Sequence, residues 1–299
     1  MSYTNILIAG SGVLGSQIAF QTAVHGFAVT VYDINDAALD QAKTRIQQLK
    51  PRYQADLGLT EKQVEAAWER LTFQSDLAQA AANADLVIES VPESMPIKVE
   101  FYEKLGKVAP AHTIFATNSS TLLPSQFADA TGRPEQFLAL HFANEIWKNN
   151  TGEIMKHART DDKVFNDVIE FAKQIGMVAL PIQKEQPGYI VNSLLVPLLS
   201  SAQKLLVTGI ADVETIDKTW MVGTGAPVGP FGMLDVIGIN TAHHVAKTRA
   251  DQTGDSDFKA VADLLKNEYI DKGKLGTATG EGFYTYPNPS YREPGFLKG

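Results

Sequence analysis

Apolar and polar positions follow two different rhythms along this chain. Up to about Lys184, short β-branched runs alternate with amphipathic stretches: NILIAG, AVTVYD, LTFQS, DLVIESV, TIFATN and FLALHFA each predict a buried strand. Between the first two lies GVLGSQIAFQTAVHG, a helical pattern that ends at a glycine suited to the left-handed stop of a helix. Asp36 to Leu71 predicts a helical pair whose second member opens at Thr60, with Gln63 at capping-box spacing. Strands separated by crossover helices predict an α/β fold of Rossmann type, with a doubly wound, mostly parallel sheet.

After Gln186-Pro187-Gly188 every long segment predicts helix: Tyr189 to Val207, Val213 to Met221, Pro230 to Ala250 and Phe258 to Asp271. The expected organisation is therefore a Rossmann domain over residues 1–185, with a helical insert at about 36–71, and an all-helical C-terminal domain over 186–299. The segment from Tyr189 is apolar on most of its faces, and a domain this small hides such a helix best against a second copy. A homodimer through the helical domain is expected. Asn192, Pro197, Gln203 and Lys204 within that segment suit a protein interior better than lipid, so no membrane partner is expected.

Composition narrows the partners. The 299 residues are 44% apolar and 20% charged with a net charge of −8, which argues against a nucleic-acid or anionic-membrane binder. There is no cysteine, so disulfides, thiol nucleophiles and thiolate metal sites are excluded. His243-His244 has no carboxylate at metal-ligand spacing, and no metal is expected. No charged and apolar leader precedes the first strand, which makes the cytoplasm the expected location.

The sharpest local signal is Gly10-Ser11-Gly12-Val13-Leu14-Gly15, directly after the first strand and opening a helix. The first glycine permits the turn, the second lets backbone approach a pyrophosphate, and the third lets helix and strand pack closely. Asp33 closes the second strand 23 residues beyond Gly10, placed to accept hydrogen bonds from ribose hydroxyls and to repel a 2′-phosphate. No arginine follows it, so the expected cofactor is NAD rather than NADP.

Ligands of open parallel sheets sit beyond the carboxyl ends of the strands. Glu93, Asn118, Ser120, His141 and Asn144 all fall there. Hydride transfer from an alcohol needs a base for the hydroxyl proton, and a neutral imidazole at His141 suits that task. Glu153 is a candidate to orient it, and Ser120 to donate to the reacting oxygen. Each also has a plain structural reading: His141 as a strand cap, Ser119 to Thr121 as turn residues before Pro124, Asn192 as a partner for loop backbone.

Taken together, GSGVLG, VIESVPES with Lys98 following, TNSSTL, LHF.N, PGYIVNSLL, GTGAPVGPFGMLD and TGEGFY resemble the L-3-hydroxyacyl-CoA dehydrogenase family, in its order and spacing over nearly the whole chain. The resemblance implies reversible oxidation of a short-chain (S)-3-hydroxyacyl-CoA to the 3-ketoacyl-CoA. It implies His141 as base and acid, Glu153 as its partner, and Ser120 and Asn192 on the substrate oxygens. Cofactor contacts would fall on Gly10, Gly12, Gly15, Asp33, Glu93, Lys98, Asn118 and Asn144. HFANEIWKNNTGE departs from the family's HFFNP and the apolar stretch that follows it: Ala143 replaces an aromatic and Glu145 a proline. In these details the chain is similar to diketoreductase-type members, which reduce a 3,5-diketo ester. Two alternatives therefore stand beside the lead: a reductase of 3-keto or 3,5-diketo acids and esters that lack CoA, and a non-catalytic, crystallin-like NAD-binding protein.

Overall fold

The structure, a computed structural model, describes residues 3–298. Two compact units divide the chain, Met1–Ile190 and Val191–Gly299.

The N-terminal unit runs β1 (Asn5–Ala9), α1 (Val13–Val24), β2 (Ala28–Tyr32), α2 (Asp36–Leu57), α3 (Glu61–Trp68), β3 (Leu71–Gln74), α4 (Leu77–Ala81), β4 (Leu86–Glu89), α5 (Met95–Val108), β5 (Ile114–Thr117), β6 (Phe137–Phe142), β7 (Thr151–Met155), α6 (Asp162–Gln174) and β8 (Val178–Ile182). All six runs that predict strands form them. One eight-stranded sheet results, in the order β3-β2-β1-β4-β5-β6-β7-β8. Every pairing is parallel except that of β6 with β7. Because strand side chains alternate between faces, Ile6 and Ile8 of β1 enter one apolar core while Leu7 and Ala9 enter another on the opposite face. Both faces are covered, which is why these strands read as continuous apolar runs.

The strands β7 and β8 lie outside the predicted set. TGEIM carries a glycine and a glutamate, and VALPI carries Pro181, which lacks the N–H of a central strand. The sheet order explains the tolerance: β8 is an edge, and a proline costs least there. In the insert, Thr60 and Gln63 form the expected reciprocal capping box at the start of α3.

The C-terminal unit is helical: α7 (Tyr189–Val207, entered from the preceding unit), α8 (Val213–Thr224), α9 (Pro230–Ile237), α10 (Ile239–Thr253) and α11 (Ser256–Leu264). The single helix expected over Pro230 to Ala250 is two, broken at Gly238, whose φ of +97° no helix can carry. The helix expected from Phe258 starts at Ser256, and beyond Leu264 its hydrogen bonding loosens into a π turn and then a 3-10 turn. Two buried carboxylates organise this unit. Asp217 accepts the N–H groups of Phe231 and Gly232 at 2.9 and 3.1 Å, holding the start of α9. Asp235 accepts those of Phe283 and Tyr284 at 2.8 and 2.9 Å. TGEGFY is therefore a turn docked by a buried acceptor, and Lys274 just upstream pairs with Glu281 at 2.7 Å. Burial pushes both aspartates above the usual carboxylate range, and the donors around them pull the other way.

Candidate active site

The sheet order reverses at β1, which lies between β2 and β4, and a crevice of 490 Å³ opens beyond their carboxyl ends. Gly10, Ser11, Gly12, Asp33 and Ser90 line it. Gly10 has φ +95°, and a Cβ there would meet the Ser90 carbonyl oxygen at 2.5 Å, so the turn passes too close to β4 for any other residue. A Cβ on Gly15 would meet the Gly10 carbonyl oxygen at 1.9 Å, which is the close packing of helix on turn. Gly12 differs: among the described residues nothing lies within 4 Å of a Cβ built there. Its bare backbone faces the crevice at the N-terminus of α1, where a diphosphate fits. Asp33 stands at the end of β2 and accepts the Ser11 N–H at 2.8 Å and its hydroxyl at 2.6 Å. Its carboxylate thus sits at the glycine turn, and these residues fit NAD.

One sheet edge further, β4 ends in a carboxylate with no exposure at all. Glu89 receives the Lys98 ammonium at 2.6 Å, the Val91 N–H at 2.9 Å and the Thr117 hydroxyl at 2.7 Å, with Tyr102 at 3.2 Å. Lys98, itself 1% exposed, also lies 3.4 Å from Glu93. Glu93 in turn accepts the Ser119 hydroxyl at 2.5 Å and both the N–H and hydroxyl of Thr121, at 2.9 and 2.8 Å. Partial burial raises the Glu93 pKa, but these donors and Lys98 outweigh it and hold the carboxyl down at about 2. Glu93 is ionised throughout the neutral range. It ties the loop after β4 to the loop after β5.

The histidine lies on the next strand. His141 of β6 and Glu153 of β7 are directly opposed partners of the antiparallel ladder, so their side chains share one face. The His141 Nδ1 lies 3.0 Å from Glu153 Oε2, and the Nε2 lies 3.2 Å from the Ser120 Oγ. A glutamate acceptor at Nδ1 fixes the proton there and leaves Nε2 free to accept. Glu153 is 5% exposed and its Oε1 is buried with no hydrogen-bond partner among the described residues, so its carboxylate faces the imidazole rather than solvent. Asn118 Oδ1 accepts the Phe142 N–H at 2.9 Å and pins the end of β5 to β6.

The run between the two strands, where the sequence departs from the family pattern, is a pinned hairpin loop. Ile146 and Trp147 turn inward and join the main core, with Trp147 against Tyr53 at 5.0 Å. The Trp147 indole donates to Asp56 at 2.8 Å, Lys148 pairs with Asp56 at 3.0 Å, and Arg52 lies over the indole and pairs with Glu145. Gln17 of α1 accepts the Glu145 and Ile146 N–H groups at 2.8 and 3.3 Å. Glu145 itself adopts φ +58°. The other basic residues of α2 are also engaged: Lys43 with Asp40 at 2.8 Å, Arg45 on the Ser11 carbonyl at 3.0 Å, Lys50 with Glu65 at 2.9 Å.

Two assemblies thus emerge in the N-terminal unit. Gly10, Gly12, Gly15 and Asp33 line or brace the crevice, and Glu93, Lys98 and Asn118 link the loops beside it. His141, Glu153 and Ser120 form a contiguous triad. Asn144 is exposed at the start of the hairpin loop, where its carbonyl accepts from Asn149 at 2.8 Å. Asn192 lies in the first turn of α7, exposed, in the C-terminal unit. Two residues escaped sequence reasoning. Glu89 is an acid inside a run of buried apolar positions, and such a charge demands a cation. Tyr189, whose ring stacks on His141, left no signal beyond its place after Pro187-Gly188.

A triad of this geometry beside a dinucleotide crevice invites comparison with known proteins. The NAD binding domain of 3-hydroxyacyl-CoA dehydrogenase matches residues 5–186, and the C-terminal domain of the same enzyme matches 188–286. The chain belongs to the 3-hydroxyacyl-CoA dehydrogenase family. As a member it is an NAD-dependent oxidoreductase. It is 32% identical to a probable 3-hydroxybutyryl-CoA dehydrogenase of Bacillus subtilis, over 96% of this chain and 98% of that one. To the human mitochondrial hydroxyacyl-coenzyme A dehydrogenase it is also 32% identical, over 94% and 91%. Among solved structures, (S)-3-hydroxybutyryl-CoA dehydrogenase from Ralstonia eutropha superposes with a TM-score of 0.83 at 29% identity, over 96% and 100%. A diketoreductase described as acting on dicarbonyl compounds superposes at 0.90 with 55% identity, over 96% and 100%.

The Asp33 assignment is open to a direct test. Losing charge-assisted hydrogen bonds to a ribose costs about 1.5–3 kcal/mol, so Asp33→Ala is expected to raise the NADH dissociation constant roughly 10- to 150-fold. Fluorescence titration would measure it, and an unaltered constant would refute the ribose role.

Proposed function

We propose that this family member moves a hydride reversibly between NAD and C3 of a short-chain (S)-3-hydroxyacyl-CoA and its 3-ketoacyl-CoA. His141 is the proton carrier. The observation that carries this reading is the Glu153–His141–Ser120 alignment, at 3.0 and 3.2 Å, on the sheet edge next to the dinucleotide crevice. When bound, NAD takes up or returns the hydride. In oxidation the His141 Nε2 accepts the hydroxyl proton, and the buried Glu153 carboxylate stabilises the imidazolium. In reduction the same nitrogen returns the proton. Ser120 donates to the reacting oxygen, and Asn192 is assigned a substrate oxygen on the family resemblance. Glu93, Lys98, Asn118 and Asn144 serve the cofactor side, with residues 1–185 as the NAD-binding domain and 186–299 as the substrate and dimerisation domain.

Ile190, Val191, Leu194 and Leu205 of α7 are 41–70% exposed within one chain, which supports α7 as the seam of a homodimer. The cytoplasm is the proposed location.

A second reading has its own support. The diketoreductase shares 55% identity with this chain, and the basic side chains Lys43, Arg45, Lys50 and Arg52 of α2 each already have a partner within the chain. A 3-keto or 3,5-diketo ester without CoA is the substrate on that reading. NADH oxidation with acetoacetyl-CoA, set against a 3,5-diketo ester, separates the two. The first reading expects turnover of the thioester, and no thioester turnover would sink it.

A further inference from the structure

Tyr189 occupies a place that backbone energetics disfavour. Its φ is +56°, a region that disfavours any non-glycine residue and persists only where the surroundings hold it there. Three contacts do so. The Tyr189 ring stacks on the His141 imidazole, with centroids 4.6 Å apart and planes 19° from parallel. Its hydroxyl donates to the Ser119 carbonyl at 2.7 Å, and its N–H donates to the Gln186 carbonyl at 3.0 Å. The side chain is 2% exposed.

Each end of this side chain reaches a different part of the triad. The ring covers one face of the imidazole, whose edge is held by Glu153. Glutamate at Nδ1 and Ser120 at Nε2 hold the ring by its edge, and the stacked phenol restrains its plane. The hydroxyl grips the peptide joining Ser119 to Ser120, so it sets where the Ser120 Oγ stands relative to Nε2. Ser119 is otherwise held through its hydroxyl, which donates to Glu93 at 2.5 Å and accepts the Leu122 N–H at 3.0 Å, and through its N–H, which donates to Thr117 at 3.2 Å. None of these bonds is to the carbonyl oxygen, which the phenol holds.

We propose that Tyr189 is a positioning residue with two separable actions: its ring holds the plane of the catalytic imidazole, and its hydroxyl holds the substrate-binding serine loop. The proposal rests on His141 being the proton carrier. It goes beyond that reading by naming what keeps His141 and Ser120 in register with one another. Misplacing a reacting group by about 1 Å can cost 10²-fold in rate, which sets the scale of the first action.

The test uses the full chain with NADH and the better of acetoacetyl-CoA and a 3,5-diketo ester. Tyr189→Phe keeps the ring and loses the hydroxyl: KM is expected to rise several-fold with kcat within about twofold. Tyr189→Leu loses both: kcat is expected to fall at least tenfold, with the NADH dissociation constant unchanged. In a His141→Gln background, Tyr189→Leu should cost nothing further in kcat, because the ring acts only through the imidazole. A tenfold additive loss in that background would overturn the ring's role. A Tyr189→Phe variant with wild-type KM would overturn the hydroxyl's role, and it carries the test alone should Tyr189→Leu fail to fold. If His141→Gln itself keeps full activity, the proton-carrier reading fails first, and the two failures are told apart.

Discussion

Replacing His141 with glutamine is expected to lower kcat by about 10²–10⁴-fold, the usual worth of a positioned general acid–base. Glutamine retains a polar group near Ser120 but cannot cycle a proton, so the loss falls on the chemical step. The same change should leave the NADH dissociation constant within about threefold, because the glycine turn and Asp33 stand on β1 and β2 while His141 stands on β6. Stopped-flow turnover and fluorescence titration read the two quantities separately. A large loss of NADH affinity with turnover preserved would move His141 from chemistry to cofactor binding. A variant unaltered in every property would point to the non-catalytic, crystallin-like alternative.

The contrast between β6 and β7 shows what the sequence carried and what it hid. FLALHFA reads as a strand because buried parallel strands are apolar on both faces, and the polar residue at its end marks the ligand side of the sheet. The partner strand TGEIM has no such signature. Its glutamate enters the ladder because it meets His141 across an antiparallel pair, a fact of topology that no local pattern states. The family spacing pointed to Glu153, and only the hairpin explains the spacing. The inward turn of Trp147 was hidden for a different reason. An aromatic in a polar run reads as exposed, yet Tyr53, Asp56 and Arg52 of α2 wait to receive it from 91 to 95 residues away along the chain. The glycine turn was legible residue by residue because each glycine answers a steric demand. Gly10 and Gly15 have backbone where a Cβ would go, and Gly12 has open crevice. The break at Gly238 was missed since apolar periodicity continues across it and one glycine in a helical pattern is often tolerated.

Lys98 offers the largest stability effect. Its ammonium and the Glu89 carboxylate are 1% and 0% exposed and 2.6 Å apart. Removing one member of a buried pair strands the other, at a cost of about 3–5 kcal/mol. Lys98→Met is therefore expected to lower the denaturant midpoint by that equivalent at unchanged slope. Val91, Thr117 and Tyr102 still donate to the abandoned Glu89, but neutral donors do not replace the cation. Adding Glu89→Gln removes the stranded charge, and the double variant should recover at least half of the loss. The pair has a functional shadow, because Lys98 also helps hold Glu93, which anchors Ser119 and Thr121. The double variant, stable but without the ammonium, should bind NADH more weakly than wild type while keeping the His141-dependent step. If Lys98→Met costs less than about 1 kcal/mol, the pair contributes no more than a surface ion pair would.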